Sequence, residues 1–300
     1  MKYIIDTDIG DDIDDALALG YALEKGIDVI GVTTVYRESE KRLDIVKEIL
    51  CIAGREDIPV YAGYDNPIDP VTPIIGKLHY KAKNKEKITY CPEKAIEFIA
   101  DCAEKYGQEL VILAIGEQTN IAKAWRAYPE KMKKAGRLVI MGGCFTLHHN
   151  EWNIAGDPLA AKIVAESGMP ILYVPWNITK DVDIGQKNYD YILNYSGGLL
   201  QEYISNLVRQ WRERVSYIPV LHDPLALICA TNESYYKSKR IKMAVMTEGL
   251  VSGFTINIDD LDSNISKNVQ GNDVDVITEV DGDAIVNEFM DTFFSAKSVL

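Results

Sequence analysis

Met1-Lys2-Tyr3-Ile4-Ile5-Asp6-Thr7-Asp8-Ile9-Gly10-Asp11-Asp12-Ile13-Asp14-Asp15-Ala16-Leu17-Ala18 opens the chain and decides how the rest is read. Tyr3-Ile4-Ile5 is a short apolar run of strand type. Asp14 to Lys25 is almost wholly apolar after its acidic start and reads as a buried helix. Between the two lie Asp6, Asp8, Asp11, Asp12, Asp14 and Asp15, six carboxylates within ten residues. One or two of them answer the positive end of the helix dipole. Six do more than that: two like charges ~4 Å apart repel by roughly 4 kcal/mol at an effective dielectric of 20. Such a group at the end of a buried strand calls for a compensating cation. It offers only oxygen, which selects a hard ion, Ca²⁺ or Mg²⁺.

The strand–helix alternation continues outward from this stretch. Val29 to Val35 is β-branched and strand-like, and Ser39 to Ala53 carries Leu43, Val46, Ile49, Leu50 and Ala53 at helical spacing before Gly54. Leu110 to Ile115, Leu138 to Met141 and Ile171 to Val174 are further strands, with a helix from about Thr119. Asp157-Pro158 and Asp223-Pro224 each read as an N-cap followed by Pro at the first helical position. This pattern predicts an α/β fold with an open, mostly parallel central sheet flanked by helices, and ligands outside the carboxyl ends of its strands. Met243 to Met246, Phe254 to Ile258 and Val274 to Val280 look like strands with little helix between them, so an antiparallel edge is expected, followed by a last helix from Gly282 to Phe294. No linker, repeat or low-complexity tract breaks the chain, and residues 1–300 are read as one domain.

Composition narrows the function. Among 300 residues, 32 Lys+Arg stand against 45 Asp+Glu, a net charge of −13, with 47% hydrophobic and 26% charged residues. A pI near 4.8 argues against nucleic acid or an anionic membrane as partner, both of which want a basic face. No apolar run is long enough to span a bilayer, and the early acidic residues do not read as a secretory signal. Five scattered cysteines without a C-x-x-C pair suit reduced thiols and a cytoplasmic location.

Three carboxylate-rich patterns can be set against the opening stretch. An EF-hand loop counted from Asp6 fails, since Gly10 stands at its fifth position and Asp11 at its sixth. A haloacid-dehalogenase-type phosphatase also begins strand-D-x-D, but Ile9-Gly10-Asp11 then follows where its pattern has Gly-Thr or Thr/Val-Leu. The pattern D-x-D-x-G, then D-D-A opening a helix, resembles the inosine-uridine preferring nucleoside hydrolase family. Further blocks are similar to that family in order along the chain. Pro59-Val60-Tyr61-Ala62-Gly63 resembles its P-V-Y-x-G, and Gly116-Glu117-Gln118-Thr119-Asn120-Ile121-Ala122 its G-P-L-T-N-L-A. Met141-Gly142-Gly143, Glu151-Trp152-Asn153 and Asp157-Pro158-Leu159-Ala160-Ala161 resemble M-G-G, E-F-N and D-P-E-A-A, and Leu221-His222-Asp223-Pro224-Leu225-Ala226 resembles L-H-D-P-L-A.

The resemblance implies Ca²⁺-dependent hydrolysis of the N-ribosidic bond of a ribonucleoside, giving ribose and free base in nucleoside salvage. Breaking that bond builds positive charge on the sugar and negative charge on the base, so the enzyme needs an activated water and a proton or hydrogen-bond donor at the base. By the family's pattern Asp8 is a metal ligand and the general base. Asp15, Asp223 and the Ile115 carbonyl complete the protein ligands, and His222 assists the leaving base. Asp14, Glu151, Trp152 and Asn153 contact the substrate, and a homo-oligomer, dimer or tetramer, is expected. The spacing between Gly10 and the helix permits a second register, in which Asp12 replaces Asp15 as ligand; anchoring on Asp14-Asp15-Ala16 adds two loop residues and keeps both carboxylates. Two other readings stay open here: a Mg²⁺-dependent phosphatase using Asp6 and Asp8, and a non-catalytic ribosyl-binding protein of the same fold. The chain departs from the family at three places. Arg37-Glu38 stands for Gly-Asn, the segment from His79 to Lys85 replaces H-G-x-x-G-L, and Cys144 to Asn150 replaces G-N-x-T-P. Arg37 and Glu38 read as a mutual ion pair, and Lys77 to Lys87 as a solvated face or, second, a group that meets an anionic substrate end; His148 and His149 read either as exposed loop residues or as placing one ring over the base or the 5′ end.

Overall fold

The computed structural model describes residues 1–84, 90–267 and 271–295. Its strands are β1 (Lys2–Thr7), β2 (Val29–Thr34), β3 (Val60–Ala62), β4 (Leu110–Ala114), β5 (Arg137–Met141), β6 (Ile171–Val174), β7 (Tyr236–Val245), β8 (Thr255–Asn257) and β9 (Asn272–Val280). The helices are α1 (Asp14–Lys25), α2 (Ser39–Ile52), α3 (Glu93–Tyr106), α4 (Thr119–Ala127), α5 (Pro129–Met132), α6 (Trp152–Gly156), α7 (Pro158–Ala165), α8 (Trp176–Thr179), α9 (Gly185–Leu193), α10 (Leu199–Arg212), α11 (His222–Thr231), α12 (Ser263–Ser266) and α13 (Gly282–Phe293).

One sheet runs through the molecule in the order β3-β2-β1-β4-β5-β6-β9-β7-β8. Pairing is parallel from β3 across to β9. β7 then pairs antiparallel with both β9 and β8, so the expected antiparallel edge is present. β7 is much longer than Met243 to Met246. Its first half, Tyr236 to Arg240, is mostly exposed and rich in lysine, so it carries no apolar signal and is held by its ladder with β9.

The strands alternate their side chains between two cores. Tyr3 and Ile5 of β1, with Val111 and Leu113 of β4, join α1, α10, α11 and α13 on one face. Ile4, Ile112 and Ala114 join α3, α4 and α7 on the other. Burial on both faces explains the near-continuous apolar runs of the parallel strands. The chain order reverses beside β1: β2 and β3 lie on one side, β4 and β5 on the other. That switch point leaves a crevice at the carboxyl ends of β1 and β4, where Asp8 and Ile115 stand.

One expected helix start is corrected. α11 begins at His222 after Leu221, and the Asp223 side chain lies inside its first turn and does not cap it. Asp157 does cap α7, accepting from the Ala160 amide at 3.0 Å. Leu113→Ala, in the middle of the sheet and fully buried, should cost about 2–5 kcal/mol in urea unfolding, whereas Leu250→Ala, on a side chain 101% exposed, should stay within about 0.5 kcal/mol.

Candidate active site

The loop from Thr7 to Ile13 carries the acidic residues across the end of β1. A Gly10 φ of +125° and the packing of Leu78 and Ile45 against its Cα leave no room for a side chain there. On the opposite side Gly116 approaches closely: a Cβ on it would stand 2.8 Å from the Asp8 amide nitrogen. The result is a cavity of about 780 Å³ with Asp8, Asp11, Asp12, Asp14, Asp15 and Asp223 at one end and Trp152, Trp176, His149 and Lys77 among its other walls.

Asp14, Asp15 and Asp223 bring one carboxylate oxygen each to within 4.8 Å of one another, all buried. Thr7 donates its hydroxyl to Asp15, and the Asp223 amide donates to Asp14 at 3.3 Å. Burial, then the neighbouring carboxylates, pushes Asp14, Asp15 and Asp223 well above the usual carboxylate range. Asp8 is not in that trio but lies beside it, and burial raises it to about 6. Asp12 is committed elsewhere: it accepts from the Ile13 amide at 2.7 Å and from the Tyr217 hydroxyl at 3.0 Å. The donor set is all oxygen and crowded with charge, which fits a hard divalent cation. Ile115 lines the cavity, and its carbonyl accepts from the Asn153 amide at 3.2 Å, leaving a second lone pair.

Asn153 also donates to the Met141 carbonyl at 3.1 Å, so one side chain bridges the ends of β4 and β5. Glu151 aims it. The Glu151 carboxylate caps α6, accepting from Asn153 and Ile154 and also from the Gly143 amide at 3.0 Å, and burial raises it to about 7. Trp152 is 44% exposed at the mouth. His222 faces the cavity, with Nδ1 2.6 Å from the Thr179 hydroxyl, and burial lowers it to about 4, so its ring is neutral at pH 7.

Asp6 is enclosed, accepts from Thr33 and Asn120, does not line the cavity and is raised by burial to about 7. A carboxylate so placed cannot serve as a phosphatase nucleophile, and that reading is set aside. The expected Arg37–Glu38 pair is present, but it is the longer contact of each member. Arg37 binds Asp11, while Glu38 turns to Lys41 and approaches Arg37 only to 4.0 Å. Of the two loop histidines, His149 lines the cavity, stacked on Trp176 at 4.1 Å between ring centroids, and His148 is exposed outside it. Lys77 and His79 belong to the cavity wall, so the lysine-rich stretch is not merely a solvated face; Lys85 and Lys87 lie outside the described residues.

A family model described as inosine-uridine preferring nucleoside hydrolase matches residues 3–287. The chain belongs to that family. A relative named probable uridine nucleosidase 2, from Arabidopsis thaliana, is 31% identical over 97% of this chain and 96% of its own length. A solved plant nucleoside hydrolase superposes with a TM-score of 0.84 at 27% identity, covering 97% of this chain and 98% of the other. A purine-preferring ribonucleoside hydrolase from Gardnerella vaginalis gives 0.76 at 27% identity, with 98% of each chain covered.

Within this nucleoside hydrolase framework three residues escaped the sequence reading. Glu117 and Gln118, where the family has Pro-Leu, are fully buried, and their side-chain polar atoms find no hydrogen-bond partner among the described residues. Burial and the charge of Asp8 push Glu117 well up. Arg42 is the third. It interrupts the apolar stripe of α2, and that interruption was the available signal. Burial opposes its charge, but Asp8, Asp11 and Glu117 outweigh that and hold it protonated. Nearby, Tyr36, Arg37 and Glu38 have φ of 64°, 34° and 56°, three successive left-handed residues without glycine, each at a cost on the order of 1–3 kcal/mol.

The raised acids carry a pH signature. Asp6, Asp8 and Glu151 titrate near 4 when unfolded but at about 6 to 7 when folded, so the folded chain holds more protons between those values. Chelator-treated protein should therefore lose stability as pH rises from about 4 to about 7. A divalent cation held by these carboxylates should raise the melting temperature more at pH 7.5 than at pH 5, read by thermal denaturation at both.

Proposed function

We propose that residues 1–300 form a single-domain, Ca²⁺-dependent N-ribosyl hydrolase that cleaves ribonucleosides to ribose and free base. The observation that carries it is the buried Asp14–Asp15–Asp223 oxygen cluster beside Asp8, at the sheet's switch point, in a chain of this family. Asp8, Asp15, Asp223 and the Ile115 carbonyl hold the ion. Once bound, a divalent cation supplies a Lewis acid that makes the attacking water more acidic and grips a sugar diol.

The remaining steps belong to side chains. Asp8 takes the proton from the water as its oxygen bonds to the anomeric carbon and the C–N bond breaks. Asp14, Asn153 and Glu151 hold the ribose hydroxyls; Asn153 is fixed for this by its two carbonyl contacts. At the far side the leaving base gathers negative charge. With Nδ1 engaged by the Thr179 hydroxyl, His222 is left with Nε2 for the leaving base, and in the tautomer protonated at Nε2 it is a hydrogen-bond donor there. A ring lowered to about 4 acts as a neutral donor here, not as a standing imidazolium. Trp152 packs at the mouth, and Trp176 with His149 presents a flat face suited to an aromatic base. Reduced cysteines fit the cytoplasm as its place of action, and a dimer or tetramer is the expected assembly.

Reducing-sugar release from a nucleoside panel, with and without chelator, tests the reading; tight ribose binding with no turnover would favour a non-catalytic protein. Asp8→Asn should abolish turnover, and His222→Ala should slow natural nucleosides more than a riboside whose leaving group needs no assistance. Equal losses on both substrates would remove His222 from the leaving-group role. For selectivity, His149→Ala should change kcat/KM unequally between purine and pyrimidine ribosides, by about 1–3 kcal/mol, while the exposed His148→Ala leaves the ratio at its wild-type value.

A further inference from the structure

We propose that Arg42, which lies outside the cavity, is the positioning residue that sets the main chain of Asp8 and thereby the geometry of the cation site. The inference rests on the hydrolase reading for its cation but on the structure alone for its geometry. The Arg42 guanidinium is fully buried and spends its donors on two irregular loops at once. Nε donates to the carbonyls of Tyr36 at 2.8 Å and Arg37 at 2.9 Å. Nη1 donates to the carbonyls of Asp8 and, at 3.0 Å, Ile9. Nη2 reaches Asp11 Oδ1 at 3.2 Å, and Arg37 binds the other oxygen of the same carboxylate.

Four of these acceptors are main-chain carbonyls with no other hydrogen bond shown among the described residues. A buried carbonyl must be satisfied, and neither loop has a strand ladder to do it. Only a planar fork with five donors spans acceptors on both sides; an ammonium is a point charge with three. The Asp8 peptide is thus held from behind by α2 while its side chain faces the cavity. The same contacts secure the left-handed Tyr36–Glu38 turn, where the family commonly has Gly-Asn and this chain has no glycine. The Arg42–Asp11–Arg37 bridge joins the two loops into one unit.

The test compares wild type with Arg42→Lys, which keeps a cation and loses the fork. Circular dichroism and cooperative unfolding establish that the variant is folded. Hydrogen exchange without metal should then show amides of residues 8–12 and 36–38 exchanging about tenfold or more faster, with β4 and β5 unchanged. Calcium affinity by calorimetry should fall about tenfold or more, and kcat should fall by a similar factor with KM within about threefold, the scale expected for groups that orient ligands. If Arg42→Lys does not fold, Asp11→Asn takes its place; it slackens the bridge and should move all three readouts the same way, by about threefold. A folded variant with wild-type calcium affinity overturns the proposal, even if its loops exchange faster, because Arg42 would then be structural only. A wild-type protein that binds no calcium or releases no ribose defeats the hydrolase reading instead. Loop exchange alone then decides whether Arg42 sets the Asp8 main chain, and unchanged exchange overturns it.

Discussion

Negative charge crowded into a dry place is the constraint on which the rest of this molecule depends. Asp8, Asp14, Asp15 and Asp223 are buried together, and each carries repulsion from neighbouring carboxylates on top of the cost of burial, Asp11 supplying it for Asp8. Coulomb energies at such distances amount to several kcal/mol even with generous screening. Three means of relief are open to the fold: protons on the carboxylates, a bound cation, and buried arginine. The first two compete for the same oxygens, and this links cation binding to pH. Arginine acts from behind the loop and competes with neither.

The sheet brings this charge together. Asp8, Asp14 and Asp15 leave β1, Ile115 leaves β4, and Asp223 arrives from α11, far along the chain. Parallel strands point their carboxyl ends the same way, so separate loops meet over one crevice where the strand order reverses. Several of the family's motif residues serve this meeting and not the chemistry. Asn120 ties Asp6, the Thr34 carbonyl and the Tyr64 amide together. Thr119 fastens to Asp157, which caps α7. Asn120, Thr119 and Asp157 find partners in these anchors, whereas one buried oxygen of Asp6 has none among the described residues.

The carboxylate end carries the motifs that resemble the family's, whereas the residues at the mouth depart from them. Arg37 and Asp11 sit close to Gly76 and Trp152, so the turn after β2, the acidic loop and the aromatic at the entrance touch at one point. Across from them His149 lies on Trp176, with Lys180 6.0 Å from the same indole. Glu117 and Gln118, which stand where the family has Pro-Leu, are buried with no side-chain hydrogen-bond partner among the described residues. Gly156 packs against Glu117, where an added Cβ would stand 2.6 Å from the carboxylate side chain.

By itself the sequence determined the α/β class, most strand and helix positions and the acidic loop, because periodicity and short motifs act over a few residues. Asp14–Lys25 and Ile171–Val174 stand where the pattern puts them. The local signal failed at Tyr236–Arg240, whose strand exists only by pairing with β9. It failed again at Asp223, where a capping motif is turned to the acidic cluster. Tertiary structure alone decided which carboxylates share a site. In sequence the helix start favours Asp15 and leaves Asp12 as a possible substitute; in space Tyr217, which is 205 residues from Asp12, bonds to that carboxylate, and Asp223 meets Asp15. The same holds for Arg42, whose partners are carbonyls, and a main-chain oxygen leaves no trace in the residue code. Which Asp can share an ion depends on where distant loops come to rest, and that depends on the whole sheet.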